Sequence, residues 1–201
     1  MRVKICGVTT IEDARFIEGA GADAVGVVIS EESKRNVTLK RAEDIFDSLG
    51  PFISKVVVTH TKSEDELYEI LSLNPTAIQI STGLKIPETF CGQVIRVADK
   101  QSLIPKDCDA VIVDESRGEG RLYDFNFAKE IIGCSKMPVI LAGGLNSGNV
   151  GRAIDEVKPY AVDVCSGVEE KAGIKNRFEV LEFLRACGKL PGLRLKEKYI
   201  R

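Results

Sequence analysis

The sequence predicts an α/β protein of one domain, a (β/α)8 TIM barrel with shortened connections around strands 4–6. Short apolar runs of strand character recur eight times, separated by segments with helix caps and helical apolar spacing. No hairpin signal joins two of the runs, so the sheet should be parallel and covered by helices. The last two runs each open onto small residues, Gly143 with Gly144 and Ser166 with Gly167, where a barrel frequently holds a phosphate. An open doubly wound sheet is the alternative for eight such units. It fits less well, because the first strand begins at residue 2 and no glycine fingerprint of dinucleotide type follows it.

Strand 1 covers residues 2–6, and Gly7 breaks it. Thr10 caps the first helix with Asp13 three residues on, a weak capping box, and Gly19 and Gly21 close it. Strand 2 covers 23–29, ahead of a polar loop at 30–37 and a helix capped by Thr38. Strand 3 covers 54–59. Its helix opens at Ser63 with Glu66 in capping-box register, and Leu67, Ile70 and Leu71 form the apolar stripe. Strands 4 and 5, at 77–81 and 93–97, leave room for only a short helical piece at 87–91, and the link 98–107 is shorter still. Strand 6 covers 110–114; a glycine-bearing loop at 115–121 leads to a helix over about 123–133. Strand 7 empties into Gly143 and Gly144, with Asn146 and Ser147 as the cap of a helix reaching Val157. Strand 8 starts at Ala161 and opens onto Ser166 and Gly167; a last helix covers about 176–188. Residues 1–201 read as a single domain, with 191–201 a basic C-terminal tail.

Composition narrows the class. The chain has 201 residues, fewer than the roughly 250 typical of such barrels, hence the trimmed connections. A formal net charge of −2 gives no electrostatic case for nucleic acid. No apolar run reaches the roughly 18 residues of a membrane span, and Met1 leads directly into a strand without a signal peptide's apolar region. A cytoplasmic protein is expected. The six cysteines are scattered, with no Cys-x-x-Cys spacing and one histidine, so a zinc site is unsupported, no metal or cofactor is expected, and a reducing compartment fits.

In a barrel the active site is built where strands end, and the polar residues there are few: Lys4, Cys6, Arg35, Gln79, Ser81, Arg96, Asp114, Asp163 and Ser166. Charged residues inside apolar runs need partners. Asp163 is the expected partner of Lys4, since strands 8 and 1 are neighbours in a closed barrel. Cys6 and Asp114 stand on strands that face each other across the mouth. A thiolate and a carboxylic acid so placed remove one proton and add another, as a sugar isomerisation requires. Each also has a plainer reading, Cys6 as a small buried filler and Asp114 as a loop cap. Arg35 fits either a solvated charge or a fork for a carboxylate. Gly143, Gly144 and Gly167 fit either a phosphate loop or simple turns, and their pairing at one repeat's separation favours phosphate.

Four segments in order add a resemblance. Lys4-Ile5-Cys6-Gly7, Ser33-Lys34-Arg35-Asn36-Val37, Leu141-Ala142-Gly143-Gly144-Leu145 and the run from Val162 to Glu169 resemble, at the expected spacings, the motifs of the phosphoribosylanthranilate isomerase family of tryptophan biosynthesis. The resemblance implies an Amadori rearrangement of N-(5-phosphoribosyl)anthranilate to 1-(2-carboxyphenylamino)-1-deoxyribulose 5-phosphate. It implies Cys6 as general base at sugar C2′, Asp114 as general acid on the ring oxygen, and Arg35 on the anthranilate carboxylate. Gln79 would be a further substrate contact, and Gly143, Gly144, Ser166 and Gly167 would hold the phosphate. The partner is then a small phosphorylated substrate, for a monomer or homodimer. Three departures stand out: Ser81 where the family usually has histidine, Glu115 with Glu119 in the strand-6 loop, and Lys34 where proline is common. Another phosphate-binding barrel isomerase or epimerase, or a non-catalytic barrel for a phosphometabolite, are the competing readings.

Overall fold

Alternation along each strand sends one set of apolar side chains into the lumen and the other toward the helices. The computed structural model describes residues 1–98, 107–114 and 125–190. Eight parallel strands pair in chain order and the last returns to the first, closing a barrel: β1 (Arg2–Ile5), β2 (Ala24–Ile29), β3 (Ser54–Thr59), β4 (Ala77–Ile80), β5 (Gln93–Ala98), β6 (Ala110–Val113), β7 (Val139–Leu141) and β8 (Ala161–Val164). The closed barrel predicted from the sequence is the fold observed.

Val28, Val56, Val58, Ile95, Ile112 and Ile140 pack inside the lumen. The outward set, with Val3, Ile5, Val27, Val57, Ile78 and Val162, packs against helices α1 (Ile11–Gly19), α2 (Leu39–Asp47), α3 (Glu64–Leu71), α4 (Phe125–Cys134), α5 (Val150–Val157) and α6 (Arg177–Ala186). Ile17, Ile45, Leu67, Ile70, Phe183 and Leu184 are the fully buried anchors on the helix side, each worth about 1.5–3 kcal/mol of apolar burial.

The caps read from sequence form as expected at the first three helices. Thr10 Oγ1 accepts from Asp13 N at 3.1 Å, Thr38 Oγ1 from Arg41 N at 3.2 Å and Ser63 Oγ from Glu66 N at 3.3 Å. The start of α5 differs. Asn146 and Ser147 are not its cap; Asn146 Oδ1 accepts from Gly148 N at 2.9 Å in a turn, and the helix begins at Val150. That turn lengthens the loop after β7. Residues 87–90 form a turn, with Phe90 N donating to Pro87 O at 3.0 Å, in place of the helical piece expected over 87–91. The expected absence of hairpins is also corrected, because β9 (Glu169–Lys171) and β10 (Ile174–Lys175) pair antiparallel just after β8. Gly173, at φ +84°, makes the turn between them in a conformation that favours glycine. The loop at 115–121 and the tail at 191–201 lie outside the described residues.

The barrel interior is not wholly apolar. Lys4 reaches across it, with Nζ 3.0 Å from Asp163 Oδ1 on neighbouring β8 and 3.0 Å from Gln79 Oε1 on β4. The Asp163 partner expected from strand adjacency is therefore the one observed. Arg96 lies on the other face of its strand. Its guanidinium donates to Thr82 O, Leu84 O and Asp107 at 2.5–2.7 Å, tying the β4–β5 link to the outside of the barrel. Breaking a buried pair from one side leaves an uncompensated charge. Lys4→Met should lower unfolding stability in urea by about 3 kcal/mol. Lys4→Met with Asp163→Leu should recover most of that loss; a single variant as stable as wild type would show that the pair holds nothing.

Candidate active site

The alternation that fills the lumen continues one residue past the strands and so delivers side chains to the mouth. Cys6 follows β1 and is buried; Asp114 follows β6 and is half-buried. Cys165 follows β8. Lys4 is registered with Asp163 and Ile5 with Val164, and Cys6 N donates to Val164 O at 2.8 Å, so the two cysteines emerge side by side. Gly26 on β2 leaves the space Cys6 needs, since a Cβ there would come within 2.9 Å of Cys6 Sγ.

Beside them, the loops after β7 and β8 touch backbone to backbone. Gly143 and Gly144 adopt φ of +90° and +62°, and a Cβ on Gly167 would sit 1.9 Å from Leu145 O. Only glycine permits that approach. The cleft between these loops encloses about 30 Å³ and is lined by Asp114, Gly143, Gly144, Asp163, Cys165 and Ser166 among others. Among the described residues, the backbone N–H groups of Gly143, Gly144, Ser166 and Gly167 donate to no protein acceptor. Such a set of backbone donors suits an anion.

Arg35 reaches the same region from the loop after β2. That loop folds back on its own strand: Ser30 N donates to Asn36 Oδ1 at 2.9 Å and Val37 N to Val28 O at 3.0 Å. The Arg35 stem then crosses Gly7, where a Cβ would lie 2.7 Å from both Arg35 Cδ and Cys165 Sγ. Its guanidinium does act as a carboxylate fork, and in this structure the carboxylate is Glu169, at 2.7–3.1 Å. Gln79 lies within the lumen, its Oε1 held by Lys4.

The charges around Cys6 favour its thiolate. A hydrogen bond with the Cys165 thiol, and the positive charges of Lys4 and Lys175, outweigh burial and hold the Cys6 pKa well below the ordinary thiol value. Cys165 moves the other way, raised by its interaction with Cys6 and by burial, so it stays protonated, with its Sγ 3.8 Å from Glu169 Oε1. Burial pushes Asp163 up to about 7; Lys4 opposes this, while Cys6 and Asp114 add to it. Burial works against a charged Lys4, but Asp163 and Cys6 outweigh it, and its pKa is raised. The arrangement can therefore offer a base at Cys6 and a carboxyl group at Asp114 beside a cleft whose backbone donors suit an anion.

The family model of N-(5′-phosphoribosyl)anthranilate isomerase matches residues 3–186. The chain belongs to the phosphoribosylanthranilate isomerase family. A relative of that name from Methanoregula boonei is 52% identical over 188 residues, covering 93% of this chain and 96% of the relative. Among solved structures, phosphoribosyl anthranilate isomerase from Thermus thermophilus is 29% identical with a TM-score of 0.83, covering 94% of this chain and 98% of that one. Another phosphoribosyl anthranilate isomerase structure, 30% identical with a TM-score of 0.76, covers 94% of this chain and 100% of that one; it is a complex with reduced 1-(o-carboxyphenylamino)-1-deoxyribulose 5-phosphate. The activity is thus that of the isomerase, an aldose–ketose isomerisation in tryptophan biosynthesis.

Two features of this isomerase were not read from its sequence. Where the family usually has histidine after strand 4, Ser81 Oγ is 2.6 Å from Nδ1 of His60, which follows β3. The chain's one histidine thus stands one strand away from the usual place. Glu169 and Lys175 were also missed as site neighbours, because they lie on the unforeseen hairpin. Lys175 Nζ is 2.9 Å from Glu169 Oε1 and 3.1 Å from Cys165 O. The signal available was Gly173 between Lys171 and Ile174, a turn residue in what otherwise reads as one polar loop.

The isomerase's cysteines should separate by pH. Cys6, held low, should reach its full alkylation rate by iodoacetamide below pH 9, whereas Cys187, which burial pushes up to about 12, should still be gaining rate there. Peptide-resolved mass spectrometry across a pH series would read both profiles, and a Cys6 profile rising only at or above pH 9 would contradict the thiolate.

Proposed function

We propose that Cys6 and Asp114 carry out the proton transfers of the isomerisation across the barrel mouth. The observation that carries this reading is that alternation on β6 brings a carboxyl group into the cleft that presents backbone donors from the β7 and β8 loops, while alternation on β1 brings a thiolate-favouring cysteine next to Cys165 in the lining of that cleft. In the forward direction, Asp114 gives a proton to the furanose ring oxygen as the C1′–O bond breaks. The anthranilate nitrogen's lone pair forms the C1′=N bond, so the ring opens to a protonated Schiff base conjugated with the aromatic ring. Cys6 then takes the proton from C2′, the electron pair moving into a C1′–C2′ double bond to give the enolamine. Its tautomerisation, with a proton added at C1′ and the C2′ hydroxyl proton lost, leaves the ketose. Two protons leave and two are added, so no external oxidant or reductant enters.

In this reading Gly143, Gly144, Ser166 and Gly167 hold the 5′-phosphate, and Arg35 holds the carboxylate of the anthranilate ring. Anchoring both ends of the substrate fixes C2′ between base and acid, which converts binding energy into orientation. Lys4 keeps Cys6 ionised from below, and Gln79 and Asp163 hold Lys4 in place. Every residue invoked comes from one chain, so the site would serve a monomer or each half of a homodimer. We take residues 1–201 as one domain and place the enzyme in the cytoplasm. Its six cysteines form no disulfide, and among the described residues no helix is long and apolar enough to cross a membrane.

Fluorescence-monitored consumption of freshly generated N-(5′-phosphoribosyl)anthranilate tests the assignment. Cys6→Ala and Asp114→Asn should each reduce kcat by about 1000-fold, in line with loss of a general acid or base. Affinity for the reduced product should stay within about threefold of wild type, because neither group is assigned to ground-state binding. Wild-type turnover by both variants would mean that the acid and base lie elsewhere.

A further inference from the structure

Glu169 lies immediately beyond the β8 loop, and its carboxylate is held by several donors. It accepts from Arg35 Nε at 2.9 and 3.1 Å, Arg35 Nη2 at 2.7 Å, Lys175 Nζ at 2.9 Å and Gly173 N at 3.2 Å. The Lys175 side chain is fully buried, and that of Glu169 is 4% exposed. The carboxylate is thus fixed from the hairpin side by groups independent of Arg35. Its contact with Arg35 is made along one edge, the Nε–Nη2 edge.

A guanidinium has five N–H donors in a rigid planar fork. Glu169 occupies one on Nε and one on Nη2, and the three that remain lie at the opposite end, two on Nη1 and one on Nη2. That end is complementary to a second carboxylate. The Arg35 stem cannot swing freely, because it is packed across Gly7, within reach of Cys165 and so of the cleft. Burial opposes a charge on Glu169, but the hydrogen bonds from Arg35 and Lys175 outweigh it and keep the group ionised.

We propose that Glu169 is a positioning residue: it grips the Nε–Nη2 edge of Arg35 and so presents the Nη1–Nη2 end as a preorganised seat for the carboxylate of the substrate's aromatic ring. Lys175 and Gly173 complete the device by fixing Glu169. This rests on the reading of Arg35 as the carboxylate ligand and adds to it the residue that makes Arg35 selective. With its stem held across Gly7, a guanidinium freed from Glu169 still turns about the Cδ–Nε bond, and the cost of ordering that plane then falls on the ligand.

The test compares two unreactive probes by calorimetry, reduced 1-(o-carboxyphenylamino)-1-deoxyribulose 5-phosphate and its phenylamino counterpart without the carboxylate. In Glu169→Gln, the carboxylate-bearing probe should bind about tenfold more weakly, while the phenylamino probe stays within about twofold of wild type. Glu169→Asp keeps the charge that Lys175 needs but is one methylene too short to hold both Arg35 nitrogens, so it should show the same selective loss if the Gln variant folds poorly. In both variants KM should rise with kcat largely kept. Equal weakening of both probes, or no weakening of either, would overturn the positioning role in favour of a merely structural ion pair. Arg35→Lys separates the underlying reading. Loss of discrimination between the probes supports Arg35 as the carboxylate ligand; wild-type discrimination would overturn that assignment and the role of Glu169 with it.

Discussion

Closure of β8 onto β1 is the constraint on which the site depends. Pairing Lys4 with Asp163 fixes the register of the last strand against the first, and a slip of one residue would turn every inward side chain of the shifted strand outward. With the register fixed, Lys4 and Asp163 meet inside the lumen, and one step higher Cys6 and Cys165 emerge together. The same closure brings the β8 loop against the β7 loop, where Gly167 meets the Leu145 carbonyl so closely that no side chain fits. Fold and site are therefore consequences of one register.

The electrostatics follow from that geometry. A buried thiol on its own would be harder to ionise, and Cys6 is opposed by its burial; the hydrogen bond from Cys165 and the charges of Lys4 and Lys175 reverse the balance. Each of those cations has its own anion, Asp163 for Lys4 and Glu169 for Lys175. Buried ion pairs contribute little net stability. Their use here is to keep charge fixed around the Cys6 sulphur, with Glu169 linking Lys175 to Arg35 at the mouth.

Much of this was legible in the sequence because it depends on local chemistry. Thr10, Thr38 and Ser63 announce helix starts through side-chain oxygens, and the eight apolar runs announce a parallel barrel. Strand adjacency alone gave the Lys4–Asp163 pair. What stayed hidden depends on register or on weak local signals. Arg96 and Gln79 both read as polar residues near strand ends, and only the pairing shows that one points to the helix layer and the other into the lumen. Asn146 and Ser147 are as good a helix cap by type as Thr10, yet a turn centred on Asn146 wins. The hairpin at 169–175 has too few apolar residues for strand periodicity to register, so Glu169 and Lys175 were not linked to Cys165.

The most direct measurement of the central claim, that β1–β8 closure makes Cys6 the thiolate base, is the release of deuterium from substrate labelled at sugar C2′. Wild-type enzyme should discharge the label to solvent with each turnover, while in Cys6→Ala the recovered substrate should keep it. Release by Cys6→Ala at the wild-type rate would contradict the account, since another group would then be removing that proton.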